Sequence, residues 1–312
     1  MKKTDRIYIA GHRGMVGGAI IRNLNESGYS EILTATRQEL DLTNQMKVTE
    51  WFEQTKPDYV FLAAAKVGGI QANISTPATF IYDNLMIQAN VIHSAYLAGV
   101  NKLEFLGSSC IYPRESKQPM KEEYMLTGPL EPTNEAYAIA KIAGLKMCEF
   151  YRRQYGFNAI TIIPPNLYGP GDDFSIEKSH VVAALIRRFH EAKVAGKDSV
   201  VLWGTGSARR EFMYVEDLAD AAVYLMNNYD SEQFINVGTS SDVSIIELAR
   251  IVKETVGFEG RIELDPSKPD GMPRKLMDSS LFLELSWNRA TDLNTGLKKT
   301  YQWFLKHPEV MT

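Results

Sequence analysis

The sequence predicts an α/β chain: a doubly wound parallel sheet carrying a smaller C-terminal α/β domain. Three observations predict it. Short apolar runs alternate with longer segments of 3.6-residue periodicity through the first half, as in sheets covered by helices on both faces. A glycine-rich turn stands at the first junction between run and helix. A turn-rich break, "PPNLYGPGDD", then separates this regular half from a less regular one. In chain order the runs are "RIYIA" before a helix over 15–27, "EILTA" before 44–54, "YVFLA" before 77–98, "LEFLG" before 134–155, and "AITII". Beyond the break the pattern gives a helix over 181–195, the run "VVLWG", then "EFMYV" leading into a helix over 216–228. "FINVG", a helix over 245–256, "RIELD" and a closing amphipathic helix over 293–305 follow. The division expected is a first domain at 1–166, to which 212–240 returns, and a second built from 167–211 and 241–312.

A chain of 312 residues buries about three quarters of its surface on folding, so a sizeable core is available. Its 34 basic and 38 acidic residues give a net charge of -4, without a basic tail, which argues against nucleic acid or an anionic membrane as partner. Two cysteines, Cys110 and Cys148, are too few for a disulfide framework and suit free thiols in a reducing compartment, so a cytoplasmic protein is expected. The apolar stretch near the start is too short for a signal peptide, and no window of 18 uninterrupted apolar residues predicts a membrane span. No metal is expected.

The stretch "IYIAGHRGMVGGAI" spaces Gly11, Gly14 and Gly17 as G-x-x-G-x-x-G, after a strand and opening a helix. Backbone N–H groups approach a pyrophosphate closely only where no side chain intervenes, and a helix N-terminus adds partial positive charge. This makes the first domain a Rossmann-type dinucleotide site. At the end of the second strand an acid would bind a ribose 2′-hydroxyl. "TATRQELDL" places Arg37 there instead, and Arg13 lies within the glycine turn. Two guanidiniums suit a 2′-phosphate, so NADPH is expected over NADH; the alternative is two solvated surface arginines.

In "NEAYAIAKIAG" Tyr137 and Lys141 are four apart and share a helix face. A phenol with an ordinary pKa of about 10 transfers protons near neutrality only where neighbouring positive charge stabilises its anion. Such pairs are common on exposed helices, and the pair gains weight from the upstream glycine turn and from Ser108 at a strand end, where sites of parallel sheets lie.

With those residues in place the chain resembles the extended short-chain dehydrogenase/reductases that act on nucleotide sugars. "GHRGMVG", "AAAKVGGI", "LGSSCIYP", "NEAYAIAKIAG", "PPNLYGPGD", "SHVVAALIRRFHEA", "VVLWGTGSARREFMYVEDLADA" and "YQWFL" extend the resemblance over nearly the whole length, to the epimerase/reductases that form GDP-L-fucose. The resemblance implies NADPH-dependent conversion of GDP-4-keto-6-deoxy-D-mannose by epimerisation at C3 and C5 and then hydride transfer to C4. It implies that Cys110 and His180 move the C3 and C5 protons, while Ser108, Tyr137 and Lys141 serve the C4 oxygen. A ketone at C4 acidifies both flanking carbons, so each inversion needs one group to remove a proton and one to return it. Cys110 lies two residues beyond Ser108, and in an extended segment both side chains point the same way. The alternatives are an inert buried thiol at Cys110 and an ordinary helix-start histidine at His180; Cys148 is read as packing.

The resemblance further implies cofactor contacts from His12, Met15 and Val16 in the glycine turn, from Asp41 and Leu42, from Leu106, Gly107 and Ser109, and from Pro164, Asn166, Leu167 and His180, with Lys141 on the ribose. Substrate contacts are implied at Ser108, Asn166, Arg188, Trp203, Arg210 and Asp278, and a homodimer as in the family. Three competing readings remain: another nucleotide-sugar epimerase or reductase, which has less need of both Cys110 and His180; a reductase without epimerisation; and a dinucleotide sensor, which would typically lack Tyr137 or Lys141.

Overall fold

The alternating runs and helices of the first half form, in order, β1 (Ile7–Ala10), α1 (Met15–Glu26), β2 (Ile32–Leu33), α2 (Gln45–Thr55), β3 (Tyr59–Leu62), α3 (Ile70–Ser75), α4 (Pro77–Leu97), β4 (Lys102–Leu106), α5 (Glu135–Tyr155) and β5 (Ala159–Ile163). The structure is a computed structural model and describes residues 1–176, 179–268, 272–287 and 290–311. Beyond the break lie β6 (Asn166–Tyr168), α6 (Val181–Val194), β7 (Ser199–Trp203), β8 (Arg209–Tyr214), α7 (Val215–Asn228), β9 (Ile235–Asn236), β10 (Asp242–Ser244), α8 (Ile245–Val256), β11 (Arg261–Asp265), β12 (Arg274–Lys275), α9 (Ser280–Leu283) and α10 (Leu293–Lys306).

The large sheet is six-stranded and parallel, in the order β2-β1-β3-β4-β5-β9. The chain steps outward from β1 to β2 and returns to β3 on the other side of β1. That reversal opens a crevice at the carboxyl ends of β1 and β3, where ligands of such sheets bind. Each face of the sheet carries its own core. One holds Phe52 of α2, Val91 of α4 and Leu145 of α5; the other holds Ile20 of α1, Leu218 of α7 and Phe282 of α9. Burial on both faces explains why these strands read as unbroken apolar runs rather than alternating ones.

A third core joins Phe189 of α6, Leu202 of β7, Leu248 of α8 and Phe304 of α10. Strand β8 links it to the large sheet. It pairs with β6, β10 and β12 in a separate small sheet, and its side chains alternate: Phe212 and Tyr214 enter the third core, whereas Met213, followed by Val215, enters the core of the large sheet. Strands β7 and β11 form a two-stranded parallel pair. Near the end the chain crosses back: Met277, Phe282 and Trp287 pack against the large sheet, a return that the spacing of runs does not announce. Also unannounced are α3 and the short strands β6, β10 and β12, each too brief to show a period.

Candidate active site

The glycine turn forms between β1 and α1 as its spacing predicts. Gly11 has φ +91°, and a Cβ there would stand 2.7 Å from the Ala64 backbone nitrogen. A Cβ on Gly17 would stand 2.3 Å from the Gly11 carbonyl oxygen, so any side chain forces the turn apart. Helix α1 begins at Gly14 with no side-chain cap and no acid in its first turn, leaving its first N–H groups turned toward the crevice. Beyond β2, the Glu39 carboxylate accepts the Thr36 N–H at 2.7 Å, and Asp41 accepts both the N–H (3.0 Å) and hydroxyl (2.8 Å) of Thr43. Both acids are spent on their own loop and held below the ordinary carboxylate range by those bonds. Arg13 and Arg37 are exposed and line the same crevice. Uncapped N–H groups, a turn that excludes Cβ atoms and two unspent guanidiniums fit a dinucleotide with a 2′-phosphate.

The crevice is one continuous cavity of about 1540 Å³, larger than the roughly 300–1,000 Å³ of a single-ligand pocket and wide enough for two ligands end to end. Its far part is built where β4 ends. Ser108 is still extended, at φ -158° and ψ 144°, but the next three residues, Ser109–Ile111, turn into a 3-10 helix. The extended-segment expectation therefore fails at Cys110, which reaches the cavity wall through this turn. The Ser108 hydroxyl accepts the Cys110 N–H at 3.5 Å and fixes the turn. Helix α5 lies close over β4 because Gly144 has no side chain; a Cβ there would stand 2.6 Å from Phe105. This brings Lys141 to donate to the Leu106 carbonyl at 2.7 Å, with its ammonium 5.8 Å from the Tyr137 ring.

Ser108, Cys110, Tyr137, Lys141, Asn166, His180 and Arg210 all line this cavity together with the glycine turn. Burial raises the Tyr137 phenol well above its ordinary value, with the Cys110 sulfur adding and the Ser108 hydroxyl opposing. Burial lowers the Lys141 ammonium to about 8, while Cys110 works the other way. Burial pushes the Cys110 thiol up, against the pull of Lys275, Ser108 and Lys141. His180, the N-cap residue of α6 at the cavity rim, is lowered by desolvation, with the Asp173 carboxylate opposing. Near neutral pH the site thus holds a protonated thiol and a neutral imidazole, one group able to give a proton and one able to take it.

A family model for the NAD dependent epimerase/dehydratase family matches residues 7–238. The chain belongs to that family. Within the NAD dependent epimerase/dehydratase family it is 57% identical to GDP-L-fucose synthase 1 of Arabidopsis thaliana, over 98% of this chain and 94% of that one. It is 51% identical to GDP-L-fucose synthase of Escherichia coli K12, over 98% of each chain. A solved structure of a GDP-mannoheptose C4 reductase from Campylobacter jejuni with NADP bound has a TM-score of 0.90 at 43% identity, over 98% of this chain and 99% of that one.

For a chain of the NAD dependent epimerase/dehydratase family, three expected substrate residues stand outside the cavity. Arg188 donates to the Val201 carbonyl beside β7. Trp203 is 67% exposed, with the Lys268 ammonium 5.7 Å from its ring. The Asp278 carboxylate accepts the N–H (3.0 Å) and hydroxyl (2.5 Å) of Ser280 at the start of α9, which holds it in its own loop. Conversely, Lys275, Asn73, Asn134, Glu131 and Asp173 line the cavity unannounced. Lys275 arrives because β12 pairs in parallel with β8, register Lys275 to Arg210, placing two cations side by side. The only signal in the sequence is that "AAAKVGGI", "NEAYAIAKIAG" and "RKLMD" flank residues already singled out.

Proposed function

We propose that this chain is a bifunctional NADPH-dependent epimerase/reductase that converts GDP-4-keto-6-deoxy-D-mannose to GDP-L-fucose. The observation that carries the reading is that Cys110 and His180 line one cavity with Ser108, Tyr137 and Lys141, beside the glycine turn. Ser108 and Tyr137 donate hydrogen bonds to the C4 oxygen and stabilise the enolate formed when a proton leaves C3 or C5. Cys110 and His180 take and return those protons from opposite faces of the ring. The glycine turn would hold NADPH, with Arg13 and Arg37 on its 2′-phosphate, and the bound cofactor would supply the hydride. Tyr137 then gives its proton to the C4 oxygen, and Lys141 stabilises the phenolate left behind.

Arg210 and Lys275 offer paired positive charge to the diphosphate, and exposed Trp203, with Arg188 beside it, offers an apolar face to the base. The cofactor then rests on 1–166 with 212–240, and the GDP-sugar on 167–211 and 241–312. A cytoplasmic homodimer is part of the proposal: α4 and α5 carry the exposed apolar side chains Tyr82, Leu97, Ile139, Phe150 and Tyr155. No helix among the described residues is long and apolar enough to cross a membrane.

The test is turnover of GDP-4-keto-6-deoxy-D-mannose with NADPH in D2O, followed by NMR. The expected product is GDP-L-fucose with deuterium at C3 and C5. A reduced GDP-sugar without deuterium would reject epimerisation and leave a simple C4 reductase. Cys110→Ser should abolish exchange; full exchange with unchanged product would remove Cys110 from the mechanism.

A further inference from the structure

Strands β8 and β12 set cations in direct register twice, and the two faces treat them differently. Arg209 and Arg274 share one face, where the Asp242 carboxylate accepts from both, at 2.8 Å and 2.5 Å. Arg210 and Lys275 share the other face, line the cavity, and form no ion pair among the described residues. Glu131, also in the cavity, has its carboxylate engaged by Thr133 and Arg114. Like charges directly opposite each other on paired strands repel, so something other than their own contact keeps Lys275 beside Arg210.

Glu211 follows Arg210 on β8 and points to the opposite face; it is 0% exposed and does not line the cavity. Its Oε1 accepts the Thr239 (2.7 Å) and Ser240 (2.8 Å) N–H groups, and its Oε2 accepts the Met277 N–H at 3.0 Å. A Cβ on Gly238 would stand 2.4 Å from Oε1, so this close approach depends on the glycine. Just past Lys275 the chain leaves β8. The Leu276 N–H donates to the Gln118 side chain and the Asp278 N–H to the Met120 carbonyl, each at 2.8 Å, in the segment that follows β4. Of these three successive amides only that of Met277 turns back to β8, and Glu211 holds it. A hydrogen bond to a charged group contributes about 1.5–3 kcal/mol, more than the order of 1 kcal/mol of a charge pair on paired strands.

We propose that Glu211 is a positioning residue for the substrate's diphosphate: its carboxylate tethers the segment after β12, so that Lys275 stays paired with Arg210 and both cations meet the phosphate oxygens together. This rests on the reading of the cavity as a nucleotide-sugar site. Glu211 touches no ligand itself. Without its grip the crossing segment is held only by 118–120, and repulsion from Arg210 is free to draw Lys275 out of register.

The experiment is calorimetric binding of GDP to the NADP-loaded protein, comparing the native chain with Lys275→Ala, Glu211→Gln and the double variant. Glutamine keeps one acceptor, for which the two N–H groups of 239–240 compete, and sets an amide nitrogen against the Met277 N–H. Lys275→Ala and Glu211→Gln should each weaken GDP binding about tenfold, and the double variant should fall no more than about twofold below Lys275→Ala. NADPH affinity should stay within about twofold throughout. A residue that merely stabilises the fold would instead add its loss to that of Lys275→Ala and weaken NADPH as well, so additive losses overturn the proposal. So does a Glu211→Gln variant with native GDP affinity; if Lys275→Ala still loses affinity, only the role of Glu211 is rejected. A native chain that binds no GDP overturns the nucleotide-sugar reading together with this one. In the native chain the Met277 amide should exchange slowly with D2O, and exchange as fast as that of an exposed amide overturns the tether without recourse to any variant.

Discussion

Glu104 should make the protein less stable as pH rises, and replacing it should remove the effect. It lies on β4, paired in register with Phe61 of β3 and Ile160 of β5, on the face with Leu106 that packs into the core against α7. Its exposure is 0%, and neither carboxyl oxygen has a hydrogen-bond partner among the described residues. The nearby Lys102 ammonium is saturated by the Leu225 (3.1 Å), Met226 (2.7 Å) and Tyr229 (2.6 Å) carbonyls at the end of α7, so it closes that helix and does not pair with the acid. Burial therefore raises the Glu104 carboxyl well above its ordinary value of 4.5, with Lys102 only opposing. Below that ordinary value both folded and unfolded chains are protonated and the linkage is nil. Above it the unfolded chain releases the proton while the folded one keeps it, and stability falls by up to about 1.4 kcal/mol per pH unit. In Glu104→Leu the slope disappears, so the variant should gain on the native chain as pH rises above the ordinary carboxyl value, by up to about 1.4 kcal/mol per pH unit. Urea unfolding midpoints at several pH values measure this, with NADPH affinity as a check that β4 still presents Ser108. A gap that does not grow with pH, or a variant less stable at pH 8, would refute the reasoning by showing the carboxylate ionised and paired.

Other consequences follow from the site. Gly17→Ala places a methyl 2.3 Å from the Gly11 carbonyl oxygen and should weaken NADPH binding at least tenfold, seen as quenching of protein fluorescence on titration, with little change in GDP affinity. Tyr137→Phe should lower the reduction rate by about 10²–10⁴ while deuterium exchange into the substrate persists at a reduced rate, since Ser108 still holds the C4 oxygen. Arg13→Ala with Arg37→Ala should raise KM for NADPH strongly and leave that for NADH nearly unchanged; equal effects would reject the 2′-phosphate assignment. Because burial brings Lys141 to about 8, its charge is lost as pH rises through that value, and the steady-state reduction rate should decline above it. Lys141→Arg should move the decline upward in the pH profile.

Much of this was written locally. The regular α/β half, the glycine turn, the Tyr137–Lys141 spacing and the serine at the end of β4 follow from residues within a few positions of one another. Helix period, the steric demands of a phosphate-binding turn and the burial of parallel strands each leave a short-range mark. Arg13 and Arg37 were legible for the same reason, because the turn and the end of the second strand are fixed points of such a sheet.

Tertiary structure decided the rest, because periodicity reports that a side chain is buried and not what it faces. Lys275 reaches the cavity only through the pairing of β12 with β8, between segments some 65 residues apart in the chain. The turn after Ser108 that redirects Cys110, the crossing of 277–287 back to the large sheet, and the exposure of Trp203 likewise depend on neighbours distant in sequence. The carboxyl of Glu104 is one polar group among many in a string of letters. Only the surrounding fold, by withholding water and partners, turns it into a proton-linked strain on the sheet.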